Sequence, residues 1–419
     1  MTSVSALGAL IALVVAVLLI LRKVPPLYGM LLGALIGGLL GGASLTDTVN
    51  FMIGGAQQIT TAVMRILAAG VLAGVLIESG AASTIAECIT EKLGETRALL
   101  ALAIATLILT AVGVFVDVAV ITVAPIALVL AQRCQLSRFA VLFAMVGGGK
   151  AGNLISPNPN AISAAENFHI PLTSVMAAGI VPMLVGLLCT YWLAKRLMHK
   201  GSQVNAIELA HNHIERPPAF FTAMSAPLVA ILLLALNPLF AVQIDPLIAL
   251  PAGGLVGALC MGKIGKINDY VLSGLAKMAP VAIMLLGTGA LAGIIANSQL
   301  THLLIDYLQA SGLPAYLLAP ISGLLMSLAT SSTTAATAVA TSVFNTPLTE
   351  LGVGAVAGAA MIHAGATVFD HLPHGSFFHA TGGSMNMIMQ ERLRLIPYEC
   401  AIGLVMTLVS TLIFGVFGN

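Results

Sequence analysis

Residues 147–163 read Gly-Gly-Gly-Lys-Ala-Gly-Asn-Leu-Ile-Ser-Pro-Asn-Pro-Asn-Ala-Ile-Ser and are flanked by long apolar runs. Pro157 and Pro159 each remove a backbone donor and fix φ, so no continuous α-helix passes through this stretch. The freed backbone groups are available to bind an ion or a carboxylate. A helix that restarts after Asn160 also directs its amide groups and partial positive charge at an anion. We call residues 152–160 the first break.

A second stretch of this kind lies in the C-terminal half. Residues 363–379 read His-Ala-Gly-Ala-Thr-Val-Phe-Asp-His-Leu-Pro-His-Gly-Ser-Phe-Phe-His, again with glycine, proline and polar residues between apolar neighbours. We call residues 367–376 the second break, and we expect the two breaks to meet near the membrane midplane. The alternative is a pair of loops outside the membrane.

The overall composition indicates a membrane protein. Of the 419 residues, 58% are hydrophobic and only 8% are charged. A water-soluble domain of this composition would have to expose too much apolar surface to water. Apolar runs such as residues 4–21, 172–192 and 397–417 are long enough to cross a hydrocarbon layer of about 30 Å. The lipid bilayer is the expected partner of these runs. Inside it the runs must be helices, because the backbone has to satisfy its own hydrogen bonds. The net charge of +1, without a basic stripe, argues against nucleic acid as a partner.

One long polar linker, residues 194–218, divides the chain, and its Lys and Arg residues place it in the cytoplasm. Lys263 and Lys266 mark another cytoplasmic loop, whereas residues 43–50 and 241–245 contain no Lys or Arg. This pattern predicts a multi-pass protein of the cell inner (plasma) membrane with its N-terminus outside.

The two halves resemble each other at an offset of roughly 220 residues. Residues 70–76 read Gly-Val-Leu-Ala-Gly-Val-Leu and match residues 289–295, which read Gly-Ala-Leu-Ala-Gly-Ile-Ile. The loop before the second stretch carries Lys263 and Lys266, whereas the loop before the first has no Lys or Arg. Equivalent positions therefore fall on opposite sides of the membrane. The predicted fold is an all-α polytopic membrane protein with two inverted-topology repeats, re-entrant hairpins and broken helices at the midplane. The predicted units are a first repeat at 1–193 (scaffold spans 1–42, transport elements 62–170), the linker at 194–218, and a second repeat at 219–419 (scaffold spans 219–262, transport elements 281–390).

Each half also contains a turn inside a long apolar run, Thr-Ala-Val-Gly-Val-Phe-Val-Asp at 110–117 and Ala-Thr-Ser-Ser-Thr-Thr at 329–334. We interpret both as tips of re-entrant hairpins, because such a turn is tolerated at membrane depth only where it lines a polar cavity. Ordinary spans joined by a surface turn are the alternative. An acidic side chain at the bilayer centre costs at least ~2.5 kcal/mol, so Asp117 is a functional candidate.

These features resemble the gluconate permease family, proton-coupled symporters of sugar acids and related hydroxy-carboxylates within the ion transporter superfamily. The resemblance covers most of the chain and is strongest at residues 156–165, 330–334 and 370–377. It implies a secondary transporter rather than an enzyme, and a homodimer. The sequence departs from the family pattern at Lys150, at Asn158 and Asn160, which replace an expected Pro/Gly pattern, and at residues 370–375, where the family has an Asn-Asp pair.

The breaks and tips supply the candidate site, because their amides and hydroxyls donate hydrogen bonds to carboxylate and hydroxyl oxygens. Lys150 either pairs with Asp117 in the empty site or extends to the surface. The predicted substrate-binding residues are Lys150, Asn153, Ser156, Asn158, Asn160, Ser331, Ser332, Thr333, Thr334, His374 and Ser376. The predicted proton-coupling residues are Asp117, Asp370, His371 and His374.

The sequence has no Walker A motif, so an ion gradient is expected to drive transport of a small organic anion. The Asp and His side chains could carry a proton, whereas the carbonyl and hydroxyl oxygens of the breaks could bind sodium. The family resemblance favours protons, and neither a further cofactor nor a bound metal is expected. A channel and a membrane metal-dependent enzyme using His363, His371, His374 and His379 are the other classes, although Pro373 interrupts any helical face that these histidines share. The residues do not identify the carboxylate.

Overall fold

The computed structural model describes residues 4–22, 24–94, 97–204, 217–240, 242, 244–300, 303, 314–373 and 375–418. Over these residues the secondary structure is helical, and the only β-structure in them is two isolated bridges, Val4 to Ser298 and Ser137 to Gln203. The predicted all-α class is confirmed.

The described helices form two series in which long scaffold helices precede a helical hairpin and a broken helix. In the first half they are α1 (Ala6–Leu21), α2 (Pro26–Leu40), α3 (Leu45–Gln58), α4 (Thr60–Glu78), α5 (Ala81–Leu93), α6 (Ala98–Ala111), α7 (Val116–Arg133), α8 (Arg138–Asn153), α9 (Pro159–Asn167), α10 (Leu172–Ala178) and α11 (Ile180–Leu197). In the second half they are α12 (Phe220–Phe240), α13 (Pro246–Cys260), α14 (Ile267–Ala296), α15 (Leu318–Thr330), α16 (Thr333–Glu350), α17 (Ala355–Gly365), α18 (Ser376–Ser384), α19 (Met389–Leu393) and α20 (Ile396–Thr411).

Helix length separates spanning segments from shorter elements. In the described part of the chain, four helical segments are long and apolar enough to cross a membrane, Thr60–Glu78, Leu172–Leu197, Ile264–Ala296 and Met389–Val416. The first helix of each hairpin has 14 residues in α6 and 13 in α15, and α2 and α13 have 15 each, fewer than the about 20 that a crossing needs. The chain turns back after α6 and α15, at the positions where the sequence predicted tips.

Helices α4 and α14 pack closely because small residues face each other where they cross. A Cβ on Gly74 would overlap the carbonyl of Tyr270, and one on Gly274 would overlap the carbonyl of Gly70. Small residues allow such close approach of helix backbones in membrane proteins. Helix α2 packs on α14, and α13 packs on α4. We use the name scaffold for the pairs α1–α2 and α12–α13 together with α4 and α14, whereas the sequence analysis placed residues 62–78 and 281–296 with the transport elements.

The glycines of the broken helices have a packing role. Helix α8 is buried along its whole length, and a Cβ on Gly148 would overlap the carbonyl of Ala103 in α6. In the second half, a Cβ on Gly365 would overlap the carbonyl of Pro320 in α15. Each helix that leads into a break is therefore held against the first helix of its hairpin.

Candidate functional site

A cavity of about 700 Å³ lies where the hairpin tips, the breaks and the scaffold meet. The first hairpin contributes Asp117, the first break Asn153 and Asn160, and the second break Asp370. The second tip contributes Ser331, Ser332, Thr333 and Thr334. Eight of the residues that the sequence singled out therefore share one cavity.

Within the described residues, four helices of the hairpins and broken helices begin at this cavity. Val116 and Val118 in the first turn of α7, Asn160 in that of α9, Thr333 in that of α16, and Phe377 in that of α18 all line it. The first amides of a helix lack partners within the helix and carry a partial positive charge. The cavity is therefore electrostatically suited to an anion.

The second tip links both breaks through two short hydrogen bonds. The hydroxyl of Thr333 donates to Asp370 Oδ2 at 2.6 Å, and that of Thr334 donates to Asn160 Oδ1 at 2.6 Å. Ser331 adopts a left-handed conformation, with φ of 48°, and its hydroxyl donates to the carbonyl of Leu372 at 2.9 Å. The two breaks thus meet around the hydroxyl-rich tip.

Lys150 lies behind the cavity wall, where its side chain is 1% exposed. Its ammonium Nζ is 2.6 Å from Asp370 Oδ1 and donates to the carbonyl of Thr367 and to Nδ1 of His371, at 2.8 Å each. These contacts correct both expectations for Lys150, because it neither pairs with Asp117 nor extends to the surface. It acts as the counter-ion of Asp370.

Two further buried charges, which the sequence analysis missed, extend this cluster. His371 Nε2 lies 3.2 Å from the carbonyl oxygen of Ile396 and 3.6 Å from Glu399 Oε2. Arg392 donates to both oxygens of Glu399, at 2.9 and 3.1 Å. The position of Glu399 near the start of the apolar run 397–417 was the available signal. Lys150, Asp370, His371, Glu399 and Arg392, which we call the buried charge cluster, carry no net charge when His371 is neutral.

Asn158 organises the first break. Its Oδ1 accepts from the backbone N–H of Ala161 at 3.0 Å and caps α9, while its Nδ2 donates to the carbonyl of Asn153 at 2.8 Å and to Asn153 Oδ1 at 2.5 Å. In the observed arrangement the amide donates to Asn153 and not to the cavity, so its contact with substrate stays a prediction. Ser156 is also buried and does not line the cavity.

Asp117 faces the cavity from the first turn of α7. Its Oδ1 accepts a hydrogen bond from the backbone N–H of Val118 at 2.9 Å. This carboxyl group therefore helps to cap α7 and also lines the cavity.

Three histidines of the enzyme alternative, His363, His371 and His379, lie in the described part of the structure, and these three do not converge. His363 is buried near Ser410, His371 contacts Lys150 and Asp370, and His379 Nε2 is 2.8 Å from the carbonyl oxygen of Pro373. Among the described residues, no group of three His, Cys, Asp or Glu side chains is arranged to hold a metal ion. The predicted site residue His374 and the side chain of Ser376 lie outside the described part of the structure.

Comparison with solved structures supports the architecture. The YdaH transporter of Alcanivorax borkumensis, whose crystal structure has an unusual topology, superposes with a TM-score of 0.64 at 18% identity, over 89% of this chain and 88% of that one. The predicted polytopic helical class is confirmed by this likeness.

Sequence comparison identifies the family. A model of the GntP family permeases matches residues 4–250, and a model of the Na+-H+ antiporter family matches residues 222–311. An uncharacterized transporter of Haemophilus influenzae is 72% identical over 417 residues, an alignment that covers 100% of each chain. The inner membrane permease YgbN of Escherichia coli is 26% identical over 48% of this chain and 44% of its own length. The chain is a multi-pass membrane transporter and belongs to the GntP permease family.

Proposed function

We propose that the protein is a secondary active transporter that carries a small organic anion, such as gluconate or a related hydroxy-carboxylate, together with a proton across the inner membrane. The observation that carries this proposal is the cavity in which four helix N-termini and the donors of Asn160 and the second tip surround two carboxyl groups, Asp117 and Asp370. Helix N-termini and amide or hydroxyl donors bind carboxylates, and titratable carboxyls carry protons.

The charges around the cavity favour symport. Lys150 offsets the charge of Asp370, so the buried charge cluster adds no positive charge for a substrate. An ionised Asp117 would repel a substrate carboxylate in the same cavity, whereas a protonated Asp117 is neutral and donates a hydrogen bond to it. A proton and an anion therefore stabilise each other's binding, which is the thermodynamic requirement for coupling.

Sodium is the alternative coupling ion, supported by the match of residues 222–311 to the Na+-H+ antiporter family. Sodium would replace the proton beside Asp117 with a bound cation and satisfy the same charge balance. Carbonyl and hydroxyl oxygens at the tips are suitable ligands for it.

The inverted repeat is part of the proposal and is supported by the order and packing of the helices. In each half two helices pair (α1 with α2, α12 with α13) before a hairpin (α6 with α7, α15 with α16) and a broken helix (α8 with α9, α17 with α18). We assign the pairs, with α4 and α14, to a scaffold that also mediates a homodimer. The hairpins and broken helices form the moving unit, and alternating access follows from its displacement against the scaffold.

The test is a thermal-shift titration of the purified protein with gluconate, glycerate and 3-hydroxybutyrate, followed by uptake into proteoliposomes. A ligand that binds only the folded state raises the melting temperature by mass action. Uptake against a concentration gradient driven by a pH gradient supports proton symport, and uptake driven only by a sodium gradient supports the alternative. Non-saturable flux that ignores both gradients would refute a carrier.

A further inference from the structure

The wall of the cavity that the scaffold supplies contains a cation that the sequence analysis did not select. Residues 25–28 at the start of α2 and Lys277, Pro280 and Met284 of α14 line this side. Among the described lining residues, Lys277 is the one Lys or Arg side chain. Lys150, the cation predicted to bind substrate, lies outside the cavity and is engaged with Asp370.

Two hydrogen bonds hold the ammonium group of Lys277 in place. Nζ donates to Ser273 Oγ at 2.8 Å and to Glu78 Oε1 at 3.2 Å. Ser273 in turn donates to the same Glu78 oxygen at 2.6 Å. An ammonium has three N–H donors, so these contacts leave one for a ligand. The side chains of Lys277 and Glu78 are 29% and 40% exposed, so the protein does not fully enclose the pair and a ligand can compete for the ammonium.

We infer that Lys277 recognises the substrate carboxylate from the scaffold side of the cavity and sets the preference for an anion over a neutral polyol. This inference rests on the proposed function and names the residue that confers its substrate class. The second tip and Asn160 offer uncharged donors and acceptors, which suit hydroxyl groups equally in acids and in polyols. Lys277 adds the charge-assisted hydrogen bond that only the acid receives.

Glu78 has a positioning role in this arrangement. It holds the ammonium of Lys277 against α4, and the substrate carboxylate competes with it for the same cation. Removing the Glu78 charge should leave the Lys277 cation available. The Glu78→Gln variant therefore separates the loss of the ion pair from the loss of the cation.

The experiment is a thermal-shift titration of purified wild type, Lys277→Gln, Lys277→Arg, Glu78→Gln and Lys266→Gln with the three carboxylates above and with sorbitol as the neutral probe. Lys266 is exposed at the start of the same helix and is the matched control for loss of one positive charge. We expect Lys277→Gln to weaken carboxylate binding about tenfold or more and to reduce the preference over sorbitol. Lys277→Arg should retain most of the affinity, and Glu78→Gln and Lys266→Gln should bind at least as tightly as wild type.

The outcomes separate this inference from the proposed function. If a carboxylate stabilises wild type and Lys277→Gln equally, the Lys277 assignment is overturned while the transporter proposal stands. If no carboxylate stabilises wild type, both fail. The melting temperature of each variant without ligand shows whether it folds, and a folded Lys277→Arg that loses binding as completely as Lys277→Gln would contradict a role based on charge.

Discussion

The ammonium of Lys150 and the carboxylate of Asp370 form a buried ion pair, with Nζ 2.6 Å from Oδ1, that joins the two halves of the chain beside the cavity. Because Lys150 is almost fully buried, its charge is available to Asp370 and not to a ligand. The pair also fixes the second break against α8, since Lys150 donates to the Thr367 carbonyl as well.

Removing one partner of this pair should strongly destabilise the protein. Lys150→Met leaves the Asp370 carboxylate buried without its cation, and we expect a loss of about 3–5 kcal/mol in the free energy of unfolding. The double variant Lys150→Met/Asp370→Asn should recover most of the loss, because it leaves no uncompensated charge. Thermal unfolding of the four proteins of this double-mutant cycle measures the coupling, and additive effects of the two substitutions would contradict it.

Asn158 and Asn160 should respond differently to alanine substitution. Asn158→Ala removes the cap of α9 and both contacts to Asn153, so we expect a loss of about 1 kcal/mol or more of stability. Asn160→Ala removes a cavity-lining amide whose Oδ1 accepts from Thr334, so carboxylate affinity should fall while the melting temperature changes less. Paired measurements of melting temperature and ligand shift distinguish these roles, and unchanged affinity in Asn160→Ala would reject Asn160 as a ligand.

Asp117→Asn should uncouple transport without unfolding the protein. Asparagine has nearly the same shape and retains an oxygen that accepts from the Val118 amide, but it does not titrate. We expect downhill exchange of substrate to persist, while accumulation driven by a pH gradient and the pH dependence of uptake are lost. Asp269→Asn, which alters an exposed carboxylate at the start of α14, is the control. Unaltered accumulation by Asp117→Asn would place the proton elsewhere.

The ion pair of Arg65 with Glu166 should hold the proposed moving unit against the scaffold. Arg65 belongs to α4 and Glu166 to α9, and Arg65 is also fixed by Asp245, with Nη2 2.7 Å from Oδ2. A partly exposed pair contributes about 0.2–1 kcal/mol, so Glu166→Gln should shift the conformational equilibrium by up to about fivefold.

The labelling rate of a cysteine introduced at Thr334 in a cysteine-free background, with an impermeant reagent added on either side of the membrane, measures this shift. Asp245→Asn is the comparison, because it removes the ion pair that Arg65 makes within the scaffold and keeps Glu166 as the partner of Arg65 on α9. Equal labelling in wild type and Glu166→Gln would show that the pair does not restrain the moving unit.

The sequence by itself determined the features that depend on local chemistry. Pro157 and Pro159 interrupt the helix wherever the chain places them, since the missing donors and the fixed φ belong to those residues. The hydroxyl-rich run at 330–334 and the Gly-containing turn at 110–117 specified the two tips in the same way. Composition alone was enough to identify the chain that contains these breaks and tips as a membrane protein.

The tertiary structure decided which charges meet and which side chains reach the ligand. Lys150 pairs with Asp370 rather than Asp117, and it belongs to a helix, α8, whose Gly148 packs against Ala103 of α6. Asn158 caps α9 within the first break, and Lys277 lines the cavity from α14, a helix that contains neither a predicted break nor a predicted tip. A buried charge is stable only beside its partner, and in this protein the partners lie far apart in sequence, so only the packing of the two halves could identify them.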